Sequence, residues 1–224
     1  MRYSVAVVGG TGHLGAALSR RWARAGHHVV IGSREASRAN SAAELINAEL
    51  GTAVRGMSNL EAAAVADIVV LTVPFSSQAA ALQEIAPVVT GKIVIDTTVP
   101  LVPPRVMRVQ LPPAGSAAVT AQQLLGAGVV VAAAFHNVAA HRLATDDAID
   151  CDVLAFSDSK EARSVVIQLA NAAGMRGLHG GALANSAAAE ALTSVLIFIN
   201  KIYAVDGAGL RITGTLSEPQ GPGG

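Results

Sequence analysis

The sequence of 224 residues predicts an α/β fold, a doubly wound parallel sheet followed by a small C-terminal α/β-helical domain. Short apolar runs rich in β-branched residues alternate with helix-like segments, which is the order expected of right-handed βαβ units. The runs are continuous rather than alternating with polar residues, so helices should cover the strands on both faces. Apolar residues make up 51% of the chain, which is enough to build a substantial core.

The predicted strands and helices follow one another in a regular order up to residue 140. Strands are expected at 5–9, 28–33, 68–73, 92–96 and 129–135, and 52–55 is a candidate short strand. Helices are expected at 14–25, 35–50 and 77–88. Ser58 and Glu61 match a capping box, which predicts a short helix from that point. Residues 99–113 contain five prolines and should form an irregular loop at the carboxyl edge of the sheet.

The rest of the chain is expected to form the smaller domain, with residues 1–140 as the main domain and 141–213 as the second. It begins with a strand at 153–156 and a helix at 160–173, followed by a loop. A long Ala-rich helix is predicted at 185–203, and its apolar run at 195–199 is expected in the core or at a dimer contact. Residues 214–224 are rich in proline and glycine and are predicted to be disordered.

Composition argues against several classes of function. Charged residues make up 14% of the chain and sum to zero net charge, so electrostatic capture of nucleic acid or of an anionic membrane is not expected. Aromatic residues, at 3%, are too few for a base-stacking surface. Cys151 is the only cysteine, which fits a reducing compartment, and no apolar run reaches the ~20 residues of a membrane span. Because no signal-peptide pattern is seen, the sequence predicts a cytoplasmic protein.

A glycine motif follows the first predicted strand and opens the first helix. Its six residues, which fit the pattern G-x-G-x-x-G, are Gly10, Thr11, Gly12, His13, Leu14 and Gly15. In this context the pattern is typical of a Rossmann-type dinucleotide-binding unit, whose first glycine permits the turn and whose second admits a pyrophosphate. The third glycine lets the helix pack on the strand, and the helix N-terminus offers free N–H groups to the phosphates. A glycine-rich turn without a nucleotide is the alternative.

The end of the second predicted strand indicates which dinucleotide is bound. An NAD site would place an acidic residue there, on the ribose 2′-hydroxyl, whereas this chain has Gly32, Ser33 and Arg34. A hydroxyl and a guanidinium suit the 2′-phosphate of NADP(H), and Arg38, one helical turn later, adds a cation. The alternative is that Ser33 caps the helix and Arg34 is solvated. We therefore predict NADP(H) as the cofactor.

The sequence lacks the usual residue pairs that protonate a carbonyl substrate. Neither Tyr3 nor Tyr203 is followed four residues later by lysine, and the same is true of Asn185. His136 and His141 are five residues apart, a poor spacing for sharing a metal on one helix face, and no other cluster suggests a metal site. Since carbonyl reduction normally needs a proton donor beside the hydride donor, a redox coenzyme acting as co-substrate fits this chain better.

With these motifs in place, the chain resembles the NADPH-dependent reductases of the 8-hydroxy-5-deazaflavin coenzyme, coenzyme F420. The resemblance runs to about residue 213, and its most specific blocks are AFHNVAA and GGALANS…EALT, beside VAVVGGTGHLG, HHVVIGSR, DIVVLTVP, GKIVIDTTVPL, CDVLAFSD and GLRIT. It implies direct hydride transfer between nicotinamide C4 and deazaflavin C5, with the rings stacked in a cleft between the main domain and the C-terminal part. Proximity and orientation are then the task of the protein.

The resemblance also implies particular site residues. His136 and Leu210 would flank the contact between the rings. Further cofactor contacts would be Val73, Pro74, Asn137 and Val138. Asn137 departs from the family pattern, in which some relatives repeat histidine, and so does Val99, where an asparagine before the proline is common. The alternatives are that His136 is a hydrogen-bonded residue at the end of a buried strand and that Pro74 only ends its strand.

Three functions follow from these observations. The leading hypothesis is an oxidoreductase that exchanges a hydride between NADP(H) and coenzyme F420, as a homodimer joined through the C-terminal helix. The two departures favour a reductase of another acceptor, such as an imine or an unsaturated biosynthetic intermediate, as the first alternative. The missing acid–base groups favour a non-catalytic NADP-binding redox sensor as the second.

Overall fold

The structure is a computed structural model and describes residues 2–217. Its strands are β1 Ser4–Val8, β2 His28–Ser33, β3 Arg55–Ser58, β4 Ile68–Leu71, β5 Ile93–Asp96, β6 Val130–Ala133, β7 Asp152–Phe156 and β8 Arg176–Gly181. Its α-helices are α1 His13–Arg24, α2 Ala36–Leu50, α3 Asn59–Val65, α4 Phe75–Ile85, α5 Ala117–Leu125, α6 Ala140–Leu143, α7 Lys160–Ala172 and α8 Ser186–Tyr203. Of the tail predicted to be disordered, residues 218–224 lie outside the described residues.

One sheet contains all the described strands, in the order β3-β2-β1-β4-β5-β6-β7-β8. Neighbouring strands are parallel except β6 and β7, which are antiparallel and joined by the single pair Ala133–Phe156. The connection between them, residues 134–151, contains one short helix, α6. Cys151 Sγ at its end lies 3.6 Å from the Asn137 carbonyl oxygen near its start. Because β7 starts close to the point where β6 ends, it runs antiparallel to β6.

The doubly wound α/β fold is therefore confirmed, with one antiparallel step that the sequence pattern does not predict. Strands β7 and β8, predicted to belong to a smaller domain, extend the main sheet. A division of the chain at residue 140 stays a prediction.

Strand β1 explains why the apolar runs are continuous. Val5 and Val7 belong to a core cluster shared with α1, α2, α6 and α7, while Ala6 and Val8 belong to a second cluster shared with α3, α4, α5 and α8. All four side chains are fully buried. The prediction that helices cover both faces of the sheet is confirmed, and the carboxyl edge of the strands is left as the place for a ligand.

Two segments differ from the predicted strand pattern. The prediction of a short strand at 52–55 is wrong, because β3 begins only at Arg55. The Asn47 side chain instead forms hydrogen bonds with the backbone N and O of Val54. The loop expected after residue 173 contains β8, whose sequence RGLHGG has weak strand propensity. Pairing with β7 forms this strand, which is a tertiary effect that local sequence does not report.

Serine hydroxyl groups cap the N-termini of three helices, α3, α5 and α7. Helix α5 has no counterpart among the predicted elements; it follows Ser116, whose Oγ accepts a hydrogen bond from the Val119 amide at 3.0 Å. The capping box of Ser58 and Glu61 is confirmed at the start of α3.

Candidate functional site

The glycine turn joins β1 to α1 at the carboxyl edge of the sheet. Gly9 has a φ of +75°, a left-handed backbone that glycine adopts without strain. The Gly10 amide donates to the Val7 carbonyl at 3.1 Å, which closes the turn. A Cβ on Gly10 would lie 2.7 Å from the Val7 carbonyl oxygen, and a Cβ on Gly15 would lie 2.5 Å from Thr72 Oγ1. Both positions therefore need glycine because protein atoms approach them closely.

Gly12, the middle glycine of the motif, is not crowded in this way. It is the N-cap of α1, with φ −77° and ψ 166°, and the contact of an added Cβ would be the Gly9 carbonyl oxygen at 3.4 Å. The first amide groups of a helix have no intrahelical acceptor, and glycine supplies no side chain to bind them. These free donors, in a cradle that a side chain would fill, fit a phosphate group. His13 is exposed in the first turn, and Leu14 packs partly against the core.

A cleft of about 370 Å³, the glycine cleft, opens beside the turn, between the ends of β2 and β4 and helix α4. Seven residues predicted to bind the cofactor line it, namely Thr11, Gly12, Ser33, Arg34, Arg38, Val73 and Pro74. Small-molecule sites usually measure about 300–1,000 Å³, so the cleft is large enough for part of a dinucleotide.

The basic end of the cleft lies where β2 leads into α2. Ser33 is buried, and its Oγ accepts a hydrogen bond from the Glu35 amide at 3.3 Å. Glu35 itself is the N-cap of α2, so capping is not the role of Ser33. Arg34 and Arg38 are exposed and have no ion-pair partner within residues 2–217. Two such cations beside a hydroxyl suit a dianionic group.

The cleft also contains residues that the glycine motif does not reveal. They are Gly9, Glu35, Asn59, Thr72, Ser76, Ser77, Ala80, Ala81 and Glu84. Asn59 is buried at the start of α3, and its Oδ1 accepts a hydrogen bond from the Gly9 amide at 3.3 Å. The capping box marks this helix start, so Asn59 could have been found from sequence. The α4 residues carry no such signal, because only packing brings them to the cleft.

His136 follows β6 at the same edge of the sheet. Phe135 before it has a φ of +65° and packs edge-on against Trp22, with 5.9 Å between ring centroids, while the His136 ring lies 6.4 Å from that of Phe156. Burial lowers the pKa of His136 to about 4, so its imidazole is neutral at pH 7. Nε2 is buried without a hydrogen-bond partner among residues 2–217, and a ligand could satisfy such an atom.

Helix α8 holds the residues around His136. Asn137 Nδ2 donates to the Ala189 carbonyl at 2.8 Å and to Thr193 Oγ1 at 3.1 Å, so its amide group is engaged with α8. Thr193 Oγ1 donates to the His136 carbonyl at 3.0 Å. His136, Asn137 and Val138 line a small pocket beside β7 that is separate from the glycine cleft.

Leu210 lies on a segment bound to the start of β7. Its carbonyl accepts a hydrogen bond from the Asp152 amide at 2.7 Å, and the Asp152 carboxylate accepts from the Ile212 amide at 2.6 Å and from Arg176 at 2.6 and 2.7 Å. Burial alone would raise the pKa of Asp152, but the hydrogen bonds from Arg176 and the Ile212 amide, together with the charges of Arg176 and Arg211, outweigh it and lower the pKa. Within the described residues, Leu210 lines neither the glycine cleft nor the His136 pocket.

Two buried carboxyl groups, to which the sequence motifs assign no role, lie near the end of β5 and the start of α5. Asp96 accepts hydrogen bonds from the Thr98 amide at 2.9 Å and from Gln78 Nε2 at 2.5 Å. Glu190 of α8 accepts from the Ala117 amide at 2.7 Å, at the start of α5. Burial raises the pKa of Asp96 to about 6 and that of Glu190 to about 7. These groups join α4, α5 and α8 to the carboxyl edge of the sheet.

Solved structures with the same architecture support the fold assignment. A structure from Arthrobacter sp. FB24, described provisionally as an F420 dependent NADP-reductase, matches with a TM-score of 0.81 and 25% identity over 95% of this chain and 100% of that chain. A pyrroline-5-carboxylate reductase from Coxiella burnetii shares the fold with a TM-score of 0.56 at 15% identity, over 80% of this chain and 59% of that chain. Fold and glycine turn together define a Rossmann-type dinucleotide-binding protein.

Sequence comparison gives the family. A family model described as NADP oxidoreductase coenzyme F420-dependent matches residues 4–100. The F420-dependent NADP reductase of Methanothermobacter thermautotrophicus is 39% identical over 222 residues, which is 95% of this chain and 96% of the relative. The F420-dependent NADP reductase of Methanocaldococcus jannaschii is 35% identical over 219 residues, which is 93% of this chain and 97% of the relative. The chain belongs to the family of F420-dependent NADP reductases.

Proposed function

We propose that the protein transfers a hydride between NADP(H) and coenzyme F420. The observation that carries this proposal is the 39% identity with an F420-dependent NADP reductase over 95% of the chain. When both molecules are bound, the hydride passes between nicotinamide C4 and deazaflavin C5. The residues of the protein bind and orient the two molecules and keep water away from them, so they contribute proximity rather than a proton.

The glycine cleft is the proposed NADP(H) site. Gly12 and the free amides of α1 would hold the pyrophosphate, because their donors are open and uncrowded. Ser33, Arg34 and Arg38 would hold the 2′-phosphate at the basic end of the cleft. Val73 and Pro74, which also line the cleft, would contact the nucleotide from β4.

Arg34→Ala should raise the Kd for NADPH roughly tenfold or more and leave the Kd for NADH almost unchanged. Charge-assisted hydrogen bonds to a dianion contribute about 1.5–3 kcal/mol, and NADH lacks that group. Fluorescence titration with both nucleotides measures the change. Arg55→Ala removes an exposed arginine outside the cleft and is the control. A preference of the unmodified protein for NADH would contradict the assignment.

His136 and Leu210 are the proposed residues at the ring contact, with Asn137 and Val138 beside them. The imidazole is neutral, and its Nε2 has no partner among residues 2–217, which supports a role in packing and hydrogen bonding rather than as an acid. The backbone of His136 is fixed to α8 through Thr193, so this contact would be carried by a rigid element.

His136→Ala should lower the rate of hydride transfer by roughly tenfold to a hundredfold, because looser alignment of the rings slows the reaction. The Kd for NADPH should stay unchanged, since the phosphates are proposed to bind in the glycine cleft. The rate of the unmodified enzyme should show no inflection near the usual histidine pKa of ~6.5. Its His136 would gain a proton only as the pH falls to about 4. Stopped-flow rates across a pH series test this, and an inflection near ~6.5 that disappears in the variant would make His136 a general acid.

The direct test of the proposed function is the reduction of coenzyme F420 by NADPH, or of NADP⁺ by reduced F420, catalysed by the purified protein and followed by the absorbance of the deazaflavin. Turnover with F420 and NADPH supports the proposal. Turnover that requires a different acceptor, or tight NADPH binding without any turnover, contradicts it.

We also propose that the protein is a cytoplasmic homodimer joined through the apolar face of α8. This face comprises Val195, Phe198 and Ile202, which are three and four residues apart, and Tyr203 next to Ile202; the four side chains are 44–73% exposed. The stretch Leu183–Tyr203 is long and apolar enough to cross a membrane, although a third of its most apolar window is already buried in the fold. An apolar helix face of this kind is commonly an association site.

Phe198→Asp should convert the dimer to a monomer in sedimentation velocity, because a carboxylate would be buried without a partner at the contact. Leu45→Asp places the same charge on the exposed side of α2 and is the control. A monomeric unmodified protein, or a Phe198→Asp variant that stays dimeric, contradicts the proposed contact.

A further inference from the structure

The glycine cleft is lined by two acidic residues, Glu35 before α2 and Glu84 on α4, and phosphate binding uses neither. Glu84 lies on helix α4, and the other α4 residues that line the cleft precede it at helical spacing, namely Ser76, Ser77, Ala80 and Ala81. These residues are small, so this face of α4 presents a flat wall that ends in an acidic group. An acidic group in a cleft for an anionic ligand needs a physical reason.

Glu84 is held in place above the floor of the cleft. Its Oε2 accepts a hydrogen bond from Asn59 Nδ2 at 3.1 Å, and Asn59 Oδ1 accepts from the Gly9 amide at 3.3 Å. Asn59 is buried, which fixes its orientation. Oε1 of Glu84 has no donor in the part of the chain that the structure describes, residues 2–217. An ionised carboxylate can only accept hydrogen bonds, so Oε1 is available to a donor on a ligand.

The strand order places the two walls of the cleft. Strand β1 lies between β2 and β4, so Arg34 after β2 and helix α4 after β4 border the cleft from two sides. A flat base fits between a guanidinium and a wall of small side chains. On the adenine ring, the 6-amino group is the donor.

We propose that Glu84 recognises the 6-amino group of the adenine of NADP(H) and so determines which base the cleft accepts. The proposal rests on the proposed NADP(H) site. Glu84 Oε1 accepts an N–H of the amino group, while Asn59 keeps the carboxylate in position. A base with a carbonyl oxygen in place of the amino group would face the carboxylate with two acceptors opposed.

The test compares NADPH with deamino-NADPH, which carries hypoxanthine in place of adenine. The unmodified protein should bind NADPH roughly tenfold or more tightly, because a hydrogen bond to a charged group is replaced by opposed acceptors. In Glu84→Gln the side-chain amide can donate to the carbonyl of hypoxanthine. The Kd for deamino-NADPH divided by the Kd for NADPH should therefore fall to about one or below. Gln83→Ala, at the exposed neighbouring position outside the cleft, should keep the unmodified ratio.

Calorimetry or nucleotide fluorescence gives all the Kd values, and Glu84 is exposed, so its variants should fold. Equal ratios in the unmodified protein and in Glu84→Gln would overturn the proposal. So would a Glu84→Ala variant that binds both nucleotides more weakly by the same factor, because Glu84 would then act only through Asn59 on the glycine turn. Failure of the unmodified protein to bind either nucleotide would instead overturn the proposed NADP(H) site, and this proposal with it.

Discussion

Gly12→Val should raise the Kd for NADPH roughly a hundredfold or more while changing the free energy of unfolding by only about 1 kcal/mol. The valine side chain would fill the space above the N-terminus of α1 where the pyrophosphate is proposed to lie. The fold has room for it, since the contact of a Cβ there is the Gly9 carbonyl oxygen at 3.4 Å. Calorimetric titration and thermal unfolding measure the two quantities separately.

Gly15→Ala provides the contrast on the same motif. Its Cβ would lie 2.5 Å from Thr72 Oγ1 and 2.7 Å from Gly10 Cα, so stability and nucleotide binding should fall together. NADPH affinity retained in Gly12→Val would remove the argument that this turn cradles a phosphate.

Trp22→Ala should lower the free energy of unfolding by about 3–5 kcal/mol, the usual loss for a fully buried aromatic side chain. Trp22 is 0% exposed, and its Nε1 donates to the Leu169 carbonyl at 2.8 Å, which ties α1 to α7. Its ring also packs against Phe135, directly before His136. Chemical denaturation followed by circular dichroism measures the loss.

Leu45→Ala is the matched control, since it truncates a large apolar side chain that is 73% exposed on α2. Its effect should stay within about 0.5 kcal/mol. Similar losses in the two variants would contradict the view that Trp22 anchors the core on this side of the sheet.

The sequence allowed prediction of those parts of the fold in which local pattern and global structure agree. Continuous apolar runs such as residues 5–8 mark strands with both faces covered, and the two core clusters that share β1 account for them. The glycine motif is also predictable, because its backbone geometry leaves no room for a side chain at two of its positions. Gly10 and Gly15 are crowded by nearby protein atoms, and Gly12 is not, so the spacing in the sequence reports the geometry of the turn.

The features that sequence reasoning missed depend on contacts between distant segments. Strand β8 contains three glycines and forms because β7 is beside it. Glu190 is buried on α8 because two amides at the start of α5 bind its carboxylate, some 70 residues earlier in the chain. Glu84 reaches the cleft only through the packing of α3 and α4. Neither the hydrophobic periodicity nor the composition of a sequence segment predicts contacts between residues that are far apart in the chain.

The single residue pair that joins β6 to β7 has a consequence for how the molecule opens in solution. Few hydrogen bonds cross this joint, whereas β7, α7 and β8 form a contiguous unit with five residue pairs of its own. Contiguous units of this kind often open at a lower free energy than the whole domain. Amide protons of β7 and β8 should therefore exchange with deuterium sooner than those of β1 and β4. Because the Asp152 amide binds the Leu210 carbonyl, each opening would also release Leu210, which is proposed to lie at the ring contact.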